Sequence, residues 1–121
     1  MTEDSLNLLT PALPRADGQE IFEAILQGPG GLLVERIVSH GQTTPEGEWY
    51  DQTRDEWVLV LEGSAELELA DGKRISLARG EHCFLPKHLR HRVSRTSSPC
   101  LWLAVHSDHL KIAPTERLAD D

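Results

Sequence analysis

Two segments are apolar along almost their whole length, "EWVLVLEG" (Glu56 to Gly63) and "CLWLAVH" (Cys100 to His106). A strand with one wet face alternates apolar and polar residues, so strands of this kind need cover on both sides. In the first, Val58 and Val60 oppose Trp57, Leu59 and Leu61; in the second, Leu101, Leu103 and Val105 oppose Trp102 and Ala104. Five more stretches read as short strands parted by turn residues: "GLLVERIVSH", "SAELELA", "RISLA", "HCFLP" and "HRVSR". Asp71-Gly72 accepts the positive φ angles of a tight hairpin turn between two of them. The chain therefore reads as all-β, and strands covered on both faces favour a closed barrel of jelly-roll type. One face of each apolar strand lines the barrel. The other calls for a second layer, either the N-terminal segment or another subunit, and the surplus apolar area points to a homodimer.

Only "DGQEIFEAILQG" departs from period two. Asp17 and Glu20 have the spacing of a capping box, Ile21, Ile25 and Leu26 share a helical face, and Gly28 stands where a helix stops. The pattern predicts a short N-terminal helix. Residues 1–30 are thus an N-terminal segment, 31–108 the barrel, and 109–121 a loosely held tail. A length of 121 residues suits one domain with one modest core. Twelve Lys and Arg against twenty Asp and Glu leave a formal charge of -8, which argues against nucleic acid and anionic membrane partners. The N-terminus carries acids where a secretory signal carries bases, and no apolar run reaches membrane-spanning length, so a cytoplasmic protein is expected. Cys83 and Cys100 lack CxxC spacing and sit in apolar surroundings, as reduced packing residues do.

Directly before the first apolar strand, "GEWYDQTRDEW" (Gly47 to Trp57) packs two tryptophans, a tyrosine, an amide and four acids into a short span. A surface loop has no need of the aromatics and a core strand does not tolerate the acids. Such a stretch suits the wall of a pocket. Trp49 and Tyr50 are its candidate substrate contacts, Tyr50 through its hydroxyl.

Two half-motifs make the chain resemble a small single-domain cupin, whose fold is a double-stranded β-helix of jelly-roll topology. The family's first motif runs G-x5-H-x-H-x(3,4)-E-x6-G, and its tail stands here as Glu56, "WVLVLE" and Gly63. The second, G-x5-P-x-G-x2-H-x3-N, stands as Gly80, "EHCFL", Pro86, Lys87, His88, "LR", His91, "RVS" and Arg95. His88 replaces the usual glycine and Arg95 the usual asparagine. Counted back from Glu56, the two family histidines fall at Trp49 and Asp51 or at Tyr50 and Gln52, and neither frame contains histidine.

In metal-binding cupins, two histidines and the glutamate of the first motif join the histidine of the second on one divalent ion. The resemblance therefore implies Glu56 and His91 as ligands and as the catalytic pair, with Asp51 or Gln52 replacing a lost imidazole through oxygen. One zinc, nickel, manganese or iron ion is the cofactor so implied. It also implies a small polar metabolite as partner, bound without turnover or converted by an isomerase, lyase or dioxygenase type of reaction in which Glu56 or His91 moves a proton. The missing histidines count most against redox chemistry. His40, His82, His88, His106 and His109 read as surface or structural residues, with His40 and His88 near the presumed mouth. Arg90 and Arg92, flanking His91, are expected to point away from the pocket. No glycine-rich phosphate loop, G-x-S-x-G elbow or zinc-type cysteine cluster is present.

Overall fold

The structure, a computed structural model, describes residues 7–114. Eight strands follow one another: β1 (Ile21–Gly28), β2 (Leu32–Ser39), β3 (Asp55–Glu62), β4 (Ser64–Leu69), β5 (Arg74–Ala78), β6 (His82–Leu85), β7 (His91–Thr96) and β8 (Cys100–Ser107). They form two antiparallel sheets, ordered β1-β2-β8-β3-β6 and β5-β4-β7. The sheets close on an apolar cluster that includes Val58, Val60, Leu67, Leu77, Leu85 and Trp102. The all-β jelly-roll expectation holds, and the turn at Asp71-Gly72 joins β4 to β5 with Gly72 at φ +92°. Among the described residues, no helix is long and apolar enough to cross a membrane.

The helix expected between Asp17 and Gly28 does not form. Those residues enter β1, which pairs with β2 from Ile21↔Val38 to Gly28↔Leu32. So short a helix is marginal in water, whereas the free edge of β2 offers a full row of backbone partners. A bulge between Ala24 and Leu26 breaks the alternation and puts apolar residues at spacings that mimic a helical face. The apparent cap closes a turn: the Gly18 N–H donates to the Arg15 carbonyl at 3.1 Å, and the Gln19 N–H to the Asp17 carboxylate at 3.0 Å.

Register decides which side chains enter the barrel. Opposite residues in a ladder share a face, and β3 pairs Glu56↔His106, Val58↔Ala104 and Val60↔Trp102 with β8. On the other side of β8, Glu35 faces Ala104 and Ile37 faces Trp102, so Glu35 shares this inner face. The outer face carries Trp57, Leu59, Leu103 and Val105 and receives part of the N-terminal segment. Arg36, 8% exposed, holds that segment by donating to the carbonyls of Leu8 and Thr10 while pairing with Glu23. The second layer demanded by the apolar strands is therefore supplied in part by the chain's own N-terminus. An open cleft of about 720 Å³ lies here between Leu8, Leu9 and the outer side chains of β3, away from the titratable groups of the barrel.

Gly63 links β3 to β4 at φ +86°, and a Cβ there would lie 2.5 Å from the Pro99 carbonyl oxygen and nearer still to Ser97 Oγ. No larger residue fits, which gives the last glycine of the first motif a physical reason.

Asp55 fixes two later segments. Its carboxylate accepts the Lys87 N–H at 2.8 Å and the Leu110 N–H at 2.9 Å. These bonds, Leu110's foremost, hold its carboxyl below the ordinary aspartate value. A carboxyl lowered on folding stabilises the fold above its unfolded value, and that contribution is lost as pH falls through the folded one. The stability advantage of wild type over Asp55→Asn should therefore be full near about pH 6 and vanish toward about pH 2 in urea titrations; an advantage that does not depend on pH would contradict this role. Leu110 belongs to the start of the tail expected to be loose, whereas residues 115–121 of it lie outside the described residues. Both cysteines are free, and burial pushes the Cys100 thiol up to about 11, as expected of packing residues.

Candidate functional site

A cavity of about 100 Å³ opens between the sheets, room for about three waters. Val58, Leu67, Leu85 and Trp102 form its apolar floor. Its polar wall comes from Glu35 of β2, Glu56 of β3, His91 of β7 and His106 of β8, with Tyr50 and Gln52 from the connection between β2 and β3. That connection is laid along β7. The Tyr50 N–H donates to the His91 carbonyl at 2.7 Å, the His91 N–H returns to Tyr50 at 3.1 Å, and the Thr44 N–H reaches the Val93 carbonyl at 2.9 Å.

In this extended stretch Tyr50 and Gln52 face inward, so Trp49 and Asp51 face away. Trp49, expected as a substrate contact, does not line the cavity; its ring lies under the Arg90 guanidinium, 5.6 Å from the centroid. Asp51, expected as a metal ligand, hydrogen-bonds with His88 Nδ1 at 2.8 Å on the surface. Of the two frames counted back from Glu56, the structure thus selects the one in which Tyr50 and Gln52 stand at the family's histidine positions. Asp51 has a local task. His88 sits at φ +64°, the left-handed conformation that glycine adopts without strain at this motif position, and the bond to Asp51 anchors its ring.

Glu56 is the centre of the site. Its side chain is 8% exposed, with one oxygen 3.7 Å from His106 Nε2 and the other 4.0 Å from His91 Nε2. Both distances exceed a hydrogen bond. Burial pushes the Glu56 carboxyl above the ordinary glutamate value; His106 and His91 pull it back, and Glu35 adds to the rise.

The His91 ring is oriented by its other nitrogen. Nδ1 lies 2.8 Å from the Leu89 carbonyl, which can only accept, so Nδ1 carries a proton and Nε2 is the nitrogen turned toward Glu56. His106 Nε2 is 2.9 Å from Glu35, completing a row of Glu35, His106, Glu56 and His91. Tyr50 stacks on His91 with centroids 5.5 Å apart. Burial and Glu20 push the Tyr50 phenol up, against a bond to Thr44, which keeps its hydroxyl protonated. Deeper in, Trp102 Nε1–H donates to Ser39 Oγ at 3.0 Å, and Ser39 donates to Glu20.

Among the described residues, no three or more His, Cys, Asp or Glu side chains gather closely enough to hold a metal ion. Asp51 is committed to His88 and His106 to Glu35, leaving Glu56, His91 and the Gln52 amide. The donors as arranged do not fit the metal centre that the resemblance implies.

His106 and Glu35 were not among the expected site residues. His106 shares its parity with Trp102 and Ala104, and the adjacent Glu35 and Arg36 in an apolar strand force one charge inward. Those signals were present, but only the pairing says which face is the inner one. His40 bonds through Nε2 to the Ala12 carbonyl at 3.0 Å and does not enter the cavity. Arg92 points away from it to Glu68 at 2.9 Å, as expected.

The family described as the cupin domain matches residues 36–106. No curated protein sequence matches the chain at a significant level. Among solved structures, a protein from Ralstonia eutropha JMP134, described provisionally as a mannose-6-phosphate isomerase, is 41% identical, with a TM-score of 0.80, covering 88% of this chain and all of its own. An RmlC-like cupin protein from Desulfovibrio desulfuricans (21% identity, TM-score 0.68, 88% and 98% covered) shares the fold. So does a cupin superfamily protein from Desulfitobacterium hafniense DCB-2 (16% identity, TM-score 0.69, 88% and 94% covered). With matched motifs, matched barrel and a family match over most of its length, this chain belongs to the cupin family.

Proposed function

We propose that the cavity binds a small polar molecule and moves a proton on it, in chemistry of the isomerase or lyase type. One observation carries this reading: Glu56, more than nine-tenths buried and without a hydrogen-bond donor among the described residues, faces His91 Nε2 at 4.0 Å. A buried carboxyl left in that state is costly unless a ligand or a proton completes it. With a substrate bearing a carbonyl, His91 Nε2 takes the proton from the neighbouring carbon while protonated Glu56 gives its own to the carbonyl oxygen, forming an enol. Where the neighbouring carbon carries a hydroxyl the enol is an enediol, and His91 then gives its proton to the former carbonyl carbon while Glu56 takes the proton of the neighbouring hydroxyl, which completes an isomerisation. The raised Glu56 carboxyl suits the donor, and the bond from His91 Nδ1 to the Leu89 carbonyl orients Nε2 for the acceptor's part.

The description of the Ralstonia protein supports the isomerase class. Its sugar phosphate is not carried over, because among the described residues no Lys or Arg lines this cavity. No step runs through a metal. The test follows deuterium incorporation from heavy water into a panel of small carbonyl compounds, using chelator-treated protein. Wild type should label at least one compound, and His91→Ala and Glu56→Gln should each slow labelling by about 10²–10⁴-fold. Absence of labelling by wild type would overturn the enzyme reading in favour of a non-catalytic binding module, and labelling that requires added zinc or manganese would restore the metal.

We further propose a homodimer. The supporting feature is β1, an edge strand whose Phe22 and Leu26 are more than half exposed. Light scattering at micromolar concentration should give twice the chain mass of 13.5 kDa; a monomer would contradict it.

A further inference from the structure

We propose that the molecule this cavity takes is a small organic ammonium ion. The inference deepens the small-molecule reading above and rests on it. Three carboxyl groups line the cavity, those of Glu20, Glu35 and Glu56, and among the described residues no Lys or Arg does. Arg54, a nearby cation that acts weakly on Glu56, spends a guanidinium N–H on the Gly31 carbonyl at 2.9 Å.

The acidic residues are not alone in pointing to a ligand. His91 is 6% exposed, and its Nε2, having no hydrogen-bond partner, is aimed into the same space as the unpartnered Glu56. The cavity offers acceptors in Glu56 and the second oxygen of Glu35, while the Gln52 side-chain amide brings both an acceptor and a donor. Few donors are free. Trp102 N–H is taken by Ser39, and His106 Nε2 by Glu35.

An alkylammonium group supplies three donors, no acceptor and one positive charge, the complement of that wall. A carboxylate or phosphate would meet the carboxyl groups of Glu20, Glu35 and Glu56 with no Lys or Arg among the described lining residues to offset them. At the rim, Tyr50 and Phe22 present aromatic rings, which attract cations through their faces. The floor of Val58, Leu67 and Leu85 accepts a short alkyl chain, and the volume of about 100 Å³ limits it to a few carbons.

The experiment compares three probes of one shape, propylammonium, 1-propanol and propionate, by NMR shift titration of chelator-treated wild-type protein at pH 7. Propylammonium should bind at least tenfold more tightly than 1-propanol, and propionate should not saturate the site. Glu56→Gln and Glu35→Gln should each erode the preference for the cation at least threefold, but the wild-type ranking alone decides the matter if either variant fails to fold. Equal binding of propanol, or tighter binding of propionate, would overturn the ammonium assignment while leaving a small-molecule cavity standing. Failure of all three probes to shift cavity resonances would overturn both.

Discussion

Glu56→Gln is expected to melt at a higher temperature than wild type at pH 8, by about 4 °C, and at the same temperature near about pH 4. The ionised Glu56 carboxylate is more than nine-tenths buried, with no protein hydrogen bond among the described residues to offset its lost hydration. Its folded value is raised above the unfolded one, chiefly by burial. A raised carboxyl contributes stability below the unfolded value and loses it as pH rises through the folded value, so wild type weakens with rising pH where the amide does not. The gain should be about 1 kcal/mol, since the amide is neutral and isosteric. The same substitution should slow proton transfer by about 10²–10⁴-fold, which makes Glu56 a group retained for function at the expense of stability. Thermal melts across pH check it. A variant less stable than wild type at pH 8 would mean that Glu56 is a structural ion-pair partner.

Trp102→Ala should cost about 3–5 kcal/mol, a fall of roughly 12–20 °C in Tm for a chain of this size. Trp102 is 3% exposed, sits on β8 between the two sheets and forms part of the cavity floor. Its loss leaves a void that the flanking strands cannot close and removes the donor of the Ser39–Glu20 chain. Trp102→Phe keeps most of the volume but leaves Ser39 without its donor, and should cost about 1–2 kcal/mol. Chemical denaturation of both variants separates volume from hydrogen bonding. A cost below about 1 kcal/mol for the alanine variant would contradict the placement of Trp102 in the core.

Period two made most of the barrel legible, because alternation and turn residues are local properties of the chain. Seven strands could be read in "EWVLVLEG", "CLWLAVH" and their neighbours, and the Asp71-Gly72 hairpin carried its own turn chemistry. β1 was misread because its bulge scrambles the alternation and because the deciding interaction, the free edge of β2, is remote in sequence. The site was legible in proportion to its motifs. Glu56 and His91 could be placed by spacing, as could the choice between two frames for the preceding ligands. Choosing Tyr50 and Gln52 over Trp49 and Asp51 required the pairing of Tyr50 with His91, a contact between the β2–β3 connection and β7 that is remote in sequence. Glu35 and His106 stayed hidden for the same reason, since β2, β8 and β3 are neighbours only in the folded sheet.

The central claim is that Glu56 is a buried, donor-poor carboxyl poised to hold or release a proton. Titration of the Glu56 side-chain carboxyl by carbon-13 NMR, assigned with the Glu56→Gln variant, tests it most directly. The account predicts a midpoint above the ordinary glutamate value of 4.5 that falls when propylammonium is added, because a bound cation favours the ionised form. A midpoint at or below 4.5 in the free protein would show that Glu56 is already paired, and would contradict the account.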